Sequence, residues 1–269
     1  GEVASAMAVA SLSAGAGQGI KSPSELELLI RSANAAIYTA STTYADQRGM
    51  GTTITAVARL NNDESESGQR FELAIANVGD SRTYLKRNNE LLRVTLDHSY
   101  VQALVNEGFI SIAEARVHPR RNIVTRALGI ESDVEVDISV IEVQHGDRFV
   151  LCSDGLVDEA DDEEIDTVLY SHETPQMAAE DLVTLANDHG GRDNTTVIVV
   201  DVIIYDATPA GGMPVTEPMS NVDEVLQGSI SEDSATESVE KKRLFTVGKI
   251  AVVAGVIAVI AVTIALIVG

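Results

Sequence analysis

The chain of 269 residues has no tryptophan, four phenylalanines, six tyrosines and a single cysteine. Aromatics make up 4% of the chain and hydrophobic residues 45%, so a core must be assembled from Val, Ile, Leu and Ala. One cysteine, Cys152, excludes any intrachain disulfide and fits a reducing compartment. No Cys/His cluster stands at metal-ligand spacing, which argues against zinc. Positive charge is scarce as well: 19 Lys and Arg face 41 Asp and Glu, for a net charge of −22. Every acidic residue lies before residue 241, whereas Lys241, Lys242, Arg243 and Lys249 lie beyond it. A body this acidic repels a phosphate backbone, so nucleic acid is not an expected partner. The same charge suits the collection of divalent cations, and a well-solvated acidic surface explains its bulk equally well.

Against that background one stretch organises the rest. Leu151-Cys152-Ser153-Asp154-Gly155-Leu156 carries an apolar strand straight into a Ser-Asp-Gly break. A carboxylate at the end of a rigid strand, followed by a glycine that permits a sharp turn, is placed to hold a hard cation. Gly190-Gly191-Arg192-Asp193-Asn194 enters the apolar run 195–204, and Ala76-Asn77-Val78-Gly79-Asp80-Ser81-Arg82 repeats the strand, glycine and aspartate. Three aspartates at glycine-containing strand ends suggest one multi-carboxylate metal site built from distant segments. Turn-capping aspartates are the ordinary alternative for each taken alone.

The remaining periodicities predict helices first and a strand meander after them. Residues 2–14 read as a buried, small-residue helix. Ser22, Pro23 and Glu25 start a second helix at N-cap, N1 and N3, and Leu26, Leu29, Ile30, Ala33 and Ile37 carry it to about residue 44. Strands are expected at 54–60 and 71–76, with a hairpin over 83–94 and further strands at 134–143 and 148–152. Short helices are expected at 99–108 and 111–114, the second with its own capping box, and longer ones at 161–170 and 175–188. Residues 195–205 read as a central strand. His98 and His145 lack partners at metal-ligand spacing and read as surface or satisfied histidines. Cys152 sits inside a strand pattern and reads as packing.

Beyond residue 205 the texture changes. Residues 206–240 hold three of the six prolines, eight acidic residues and no Lys or Arg, the composition of a solvated linker. The basic segment 241–249 follows. Residues 250–268 then run without a charge, a length that spans roughly 28 Å as a helix, about the thickness of a bilayer core. A transmembrane helix is the expectation. The basic cluster before it places residues 1–240 in the cytoplasm of a single-pass protein of the cell membrane.

Six motifs, in order and spacing, carry a resemblance. They are Gly49-Met50-Gly51-Thr52-Thr53, Asn77-Val78-Gly79-Asp80-Ser81-Arg82, Asp97-His98-Ser99, the stretch from Arg121 to Gly129, Ser153-Asp154-Gly155-Leu156 and the stretch from Gly191 to Val197. Together the chain resembles the metal-dependent protein serine/threonine phosphatases of the PPM (type 2C) family, in their bacterial membrane-anchored form, over nearly all of residues 1–204. The resemblance implies an α+β fold, a four-layer α-β-β-α sandwich of two antiparallel sheets flanked by helices, here with the C-terminal transmembrane helix added. It implies two Mn²⁺ or Mg²⁺ ions sharing a bridging hydroxide, with Asp154 and Asp193 as ligands. It puts Asp80, with Asp154, at a third and weaker metal position. It makes residues 99–121 a flap in which His118, Arg120 and Arg121 steer a phosphopeptide, with a solvated loop as the plain alternative.

The implied function is hydrolysis of phosphoserine and phosphothreonine on proteins by a metal-activated water, opposing a membrane Ser/Thr kinase. Phosphorylated proteins, such kinases among them, and the lipid bilayer are the expected partners. The family's phosphate-gripping Arg, its metal-bridging Asp and its general-acid His are expected upstream of Gly1. The stretch in hand is therefore expected to bind metal weakly and to turn over little substrate by itself. The competing reading is a non-catalytic phosphatase-like binding module at the membrane. A third is a membrane receptor phosphorylated in its linker, where Ser229, Ser231, Ser234, Thr236 and Ser238 sit among acids.

Overall fold

The computed structural model describes residues 2–17, 19–61, 71–204 and 258–263. Two helices open the chain, α1 (Glu2–Ala16) and α2 (Pro23–Thr43). The start of α2 follows from its sequence: Ser22 Oγ accepts the Glu25 amide and Pro23 occupies the first turn, where its missing N–H costs nothing. Strand β1 (Thr53–Arg59) then pairs antiparallel with β2 (Glu72–Val78), which pairs with β5 (Asp137–Glu142). The second sheet runs in the order β4 (Glu90–Arg93), β3 (Arg82–Arg87), β6 (Arg148–Cys152), β7 (Val197–Asp201). Between β4 and β5 lie the short helices α3 (Tyr100–Asn106) and α4 (Ile112–Arg116). After β6 come α5 (Asp154–Val157), α6 (Asp162–Ser171) and α7 (Pro175–Asp188).

Strict alternation along the strands sorts the side chains into three cores. Ile54, Ala56 and Ala58 of β1 and Ala74, Ala76 and Val78 of β2 face α1 and α2, against Leu12, Ile30 and Ile37. Tyr84, Val150 and Cys152 face α6 and α7, against Ile165, Leu169 and Leu182. Val57, Ile75, Leu85, Phe149 and Leu151 meet between the sheets. The result is the expected order of layers: helices, sheet, sheet, helices. Each fully buried Val, Leu or Ile contributes on the order of 2 kcal/mol, which is how a chain poor in aromatics fills this volume. Near one end the inter-sheet layer turns polar, with hydroxyl pairs Thr53–Ser81 at 2.9 Å and Thr55–Thr83 at 2.7 Å. The apolar seal thus gives way to hydrogen bonds toward the end where Asp80 emerges.

Two expectations need correction. Residues 195–205 were expected to form a central strand, but β7 lies at the edge of its sheet. Its apolar run reflects cover from α7 and the inter-sheet core rather than strands on both sides. The continuous helix expected over 250–268 does not hold at Ala258–Thr263, which forms strand β8, antiparallel to β1. The free edge of β1 presents a row of N–H and C=O groups, and the β-favouring run Ala-Val-Ile-Ala-Val-Thr satisfies them. Among the described residues no helix is long and apolar enough to cross a membrane. The rest of 250–268, the stretch 206–240 read as a linker, the basic segment 241–249 and residues 62–70 lie outside the described residues.

Candidate active site

The aspartates singled out in the sequence gather at the polar end of the sandwich. Asp80 follows Gly79, where the chain leaves β2 with φ +112°, a conformation that glycine adopts at low cost. A Cβ there would sit 2.3 Å from Thr53 Cγ2, so Gly79 serves both the turn and the close approach of β1. The turn is pinned from outside: the Gly79 amide donates to His98 Nδ1 at 3.0 Å and the His98 amide donates back to the Gly79 carbonyl at 2.8 Å. On the other side of the ring, Nε2 lies 3.0 Å from Arg126 Nη1 and 3.2 Å from Asp137 Oδ2. His98 is a buried, satisfied histidine that holds the Asp80 turn.

Asp154 opens α5 and Asp193 lies on the loop before β7, and three fastenings register the two segments. Ser153 Oγ donates to the Asn194 carbonyl at 3.2 Å and accepts the Thr196 amide at 3.0 Å. Gly155 lets that carbonyl come close; a Cβ would stand 2.5 Å from it. The glycine was expected to permit a sharp turn, but its φ is not positive, and its contribution is space. The third fastening is Glu159, whose buried carboxylate accepts Arg192 Nε at 2.7 Å and Nη2 at 3.0 Å. One segment, 153–159, thus presents Asp154 and clamps the residue before Asp193.

The electrostatics show that these carboxylates share one neighbourhood. Burial pushes Asp154 up to about 7, helped by the charges of Asp80, Asp193 and Asp158. Burial, then the charge of Asp97, pushes Asp80 up to about 6. Asp158, four residues after Asp154, is raised by burial and opposed by Arg121, its partner at 3.7 Å. Asp158 was not singled out in the sequence, although an i, i+4 carboxylate on a helical turn is a readable signal. Among the described residues no three His, Cys, Asp or Glu side chains form a ready-made cage for an ion. The donor set nevertheless fits divalent cations. It is all oxygen, its mutual repulsion is relieved by a cation, and water would complete the shell as hard ions prefer. Asp80, Asp154, Asp158 and Asp193 are the residues that would hold it. Cys152, beside Asp154, is fully buried and its thiol is pushed up to about 12 by that burial, so it packs rather than reacts.

A cavity of about 370 Å³ opens beside the aspartates, under α3 and α4, and Asp80, Asp154, Asp158, Arg116 and Arg121 line it. At its wall the guanidinium of Arg82 grips Asp97 through contacts of 2.7–3.1 Å. Of the three flap residues named from the sequence, Arg121 lines the cavity. His118 and Arg120 instead pack on the ring of Tyr100, at 6.0 Å and 5.5 Å. Arg116, which no sequence pattern marked, joins Arg121 at the cavity.

The comparisons agree with this geometry. Residues 21–195 match the family described as Protein phosphatase 2C. The chain is 41% identical over 184 residues to the serine/threonine protein phosphatase PstP of Mycobacterium tuberculosis, covering 68% of this chain and 33% of that protein. It is 41% identical over 176 residues to the serine/threonine phosphatase stp of Listeria monocytogenes, covering 65% of this chain and 66% of that one. The chain therefore spans about a third of the length of the mycobacterial relative. Among solved structures it is similar to the catalytic domain of PstP in complex with two manganese ions, at TM-score 0.65 and 37% identity, covering 76% of this chain and 82% of that one. Fold, motif order and the gathering of Asp80, Asp154 and Asp193 at one end of the sandwich lead to one conclusion: the chain belongs to the protein phosphatase 2C family.

Proposed function

We propose that the protein hydrolyses phosphoserine and phosphothreonine on other proteins in a reaction that depends on Mn²⁺ or Mg²⁺. The observation that carries this reading is the shared, self-repelling carboxylate cluster of Asp80, Asp154 and Asp193 beside a cavity lined by arginines. Bound divalent ions would supply an acidified water near neutral pH and neutralise phosphoryl charge. The protein's own part is positioning. Asp154 and Asp193 present oxygens on two loops tied together through Ser153, Gly155 and Glu159, and His98 fixes the turn that presents Asp80. Arg121 at the cavity attracts the anionic substrate, and Arg120 and His118 stiffen the same flap through Tyr100.

The test is phosphate release from a phosphothreonine peptide by the full-length protein with Mn²⁺. Chelator should abolish it, and Asp154→Asn and Asp193→Asn should each lose most of the rate. Wild-type rates in both variants would overturn the ligand assignment. Folded protein without metal-dependent turnover would favour the binding-module reading.

Tethering to a membrane, with the phosphatase domain in the cytoplasm opposite a membrane Ser/Thr kinase, belongs to the same proposal. It is supported by Lys241-Lys242-Arg243 followed by the uncharged run 250–268. Pairing of Ala258–Thr263 with β1 is an arrangement exclusive of a membrane-spanning helix there. Alkaline extraction of membranes from expressing cells decides between them: a protein released to the supernatant lacks the span.

A further inference from the structure

Four arginines, Arg82, Arg93, Arg116 and Arg121, line the cavity under α3 and α4 together with five aspartates, and they differ in what already holds them. Arg82 is spent on Asp97, held by three contacts of 2.7–3.1 Å. Arg93 Nη2 donates to Gln102 at 2.6 Å and Nε to the Thr95 carbonyl at 2.9 Å. Arg121 meets Asp158 only at 3.7 Å, beyond hydrogen-bond distance. Arg116, at the last turn of α4, makes no hydrogen bond or ion pair among the described residues, yet it lines the cavity together with Arg121. Val105, Ile112 and Val157 line the same cavity, with Val157 buried and Ile112 exposed. Local charge runs against the whole: between Ser111 and Arg126 stand four arginines and one carboxylate, Glu114, and Glu114 is turned back into the cap of α4.

Resting on the phosphatase reading, we infer that Arg116 and Arg121 form a subsite for a second anionic side chain on the substrate, a carboxylate or a second phosphate two residues from the one being hydrolysed. The offset follows from extended-chain geometry. Alternate side chains of an extended peptide point the same way and rise about 3.3 Å per residue, so the residue two positions away turns toward the protein when the phosphorylated one does. Asp80, Asp154, Arg116 and Arg121 line one cavity, so on this reading the aspartates serve the scissile phosphate and the arginines its neighbour. Arg121 exchanges its loose contact with Asp158 for the incoming anion.

The test uses full-length protein with Mn²⁺ and one phosphothreonine peptide in four versions: alanine or glutamate two residues before, glutamate two residues after, and a second phosphothreonine at the better of those positions. The kcat/KM for an acidic neighbour should exceed that for alanine by about fivefold, the upper end for a single exposed charge pair. The preference should shrink as salt rises. Arg116→Ala should bring the ratio close to one, and Arg116→Lys should restore most of it for glutamate. The glutamate and diphosphorylated arms separate a carboxylate subsite from one that needs a phosphate. Fluorescent versions of the same peptides are titrated by anisotropy in parallel, so the subsite is read even where nothing is hydrolysed. Hydrolysis and binding without preference, or a preference that survives Arg116→Ala, overturns the subsite and leaves the phosphatase reading standing. Preference in binding without hydrolysis does the reverse.

Discussion

Replacing Gly155 by alanine separates the geometry of the candidate metal site from the stability of the fold. The new Cβ would stand 2.5 Å from the Asn194 carbonyl oxygen, 3.0 Å from its carbon and 3.1 Å from Thr195 Oγ1. Ordinary contact asks for about 3.5 Å, so the Asn194 carbonyl must retreat by roughly 1 Å. That carbonyl adjoins Asp193 and accepts from Ser153 Oγ, so the retreat moves one proposed ligand loop away from the other. Crowding of this kind costs about 1–3 kcal/mol. The backbone at Gly155 is not strained, and alanine in a helical turn recovers up to about 1 kcal/mol. The net loss of stability should therefore be small, about 1 kcal/mol. Mn²⁺ affinity should fall about 10- to 100-fold, the usual effect of disturbing what orients a ligand. Calorimetric titration with Mn²⁺ and urea unfolding in chelator measure the two separately. Gly146→Ala is the control: φ is +88° with open space around the new Cβ, so it should lose about 1–2 kcal/mol to backbone strain and keep its metal affinity. An unchanged Mn²⁺ affinity in Gly155→Ala would refute the idea that the approach of the two loops sets the site.

Three further outcomes follow from the same fold. Asp97→Ala leaves the Arg82 guanidinium, 17% exposed, without its partner and should cost about 3–5 kcal/mol in urea unfolding; a loss below 1 kcal/mol would mean the pair is solvated. Asn34 is buried, accepting the Gly129 amide at 2.8 Å and donating to the Glu131 carbonyl at 3.1 Å, so Asn34→Ala should cost about 2–3 kcal/mol and loosen the stretch 126–131 in hydrogen exchange. The folded pKa values of Asp80 and Asp154, about 6 and about 7, lie above the ordinary carboxylate value of 3.8. Each carboxylate then opposes folding increasingly as it ionises, so the metal-free protein should lose stability as pH rises from about 4 to 7, and Mn²⁺ should remove most of that loss. Melting temperatures across that range, with and without Mn²⁺, check it; a metal-free protein that grows more stable over the same window would contradict the shared neighbourhood of these acids.

What could be read from the chain was what is local. The caps of α2 and α4, the period-2 alternation of β1, β2 and β6, and the strand-glycine-aspartate pattern depend on neighbours within four or five residues, and each appears where the sequence put it. What failed depends on distant partners. His98 reads only as surface or satisfied, because the groups that decide between the two, the Gly79 amide and Asp137, are 19 and 39 positions away. Arg116 reads as one more charge on a short helix until the fold places it on the cavity that Asp154 also lines. Gly155 was identified correctly and explained wrongly, since a glycine kept for φ and one kept for space are the same letter; only the Asn194 carbonyl, brought in by β7 beside β6, tells them apart. The apolar stretch at 258–263 carries the same lesson at the scale of an element. A run of Ala, Val and Ile has no polar face to fix its period, so its conformation is decided by what needs covering, a bilayer core or the open edge of β1, and not by the run itself.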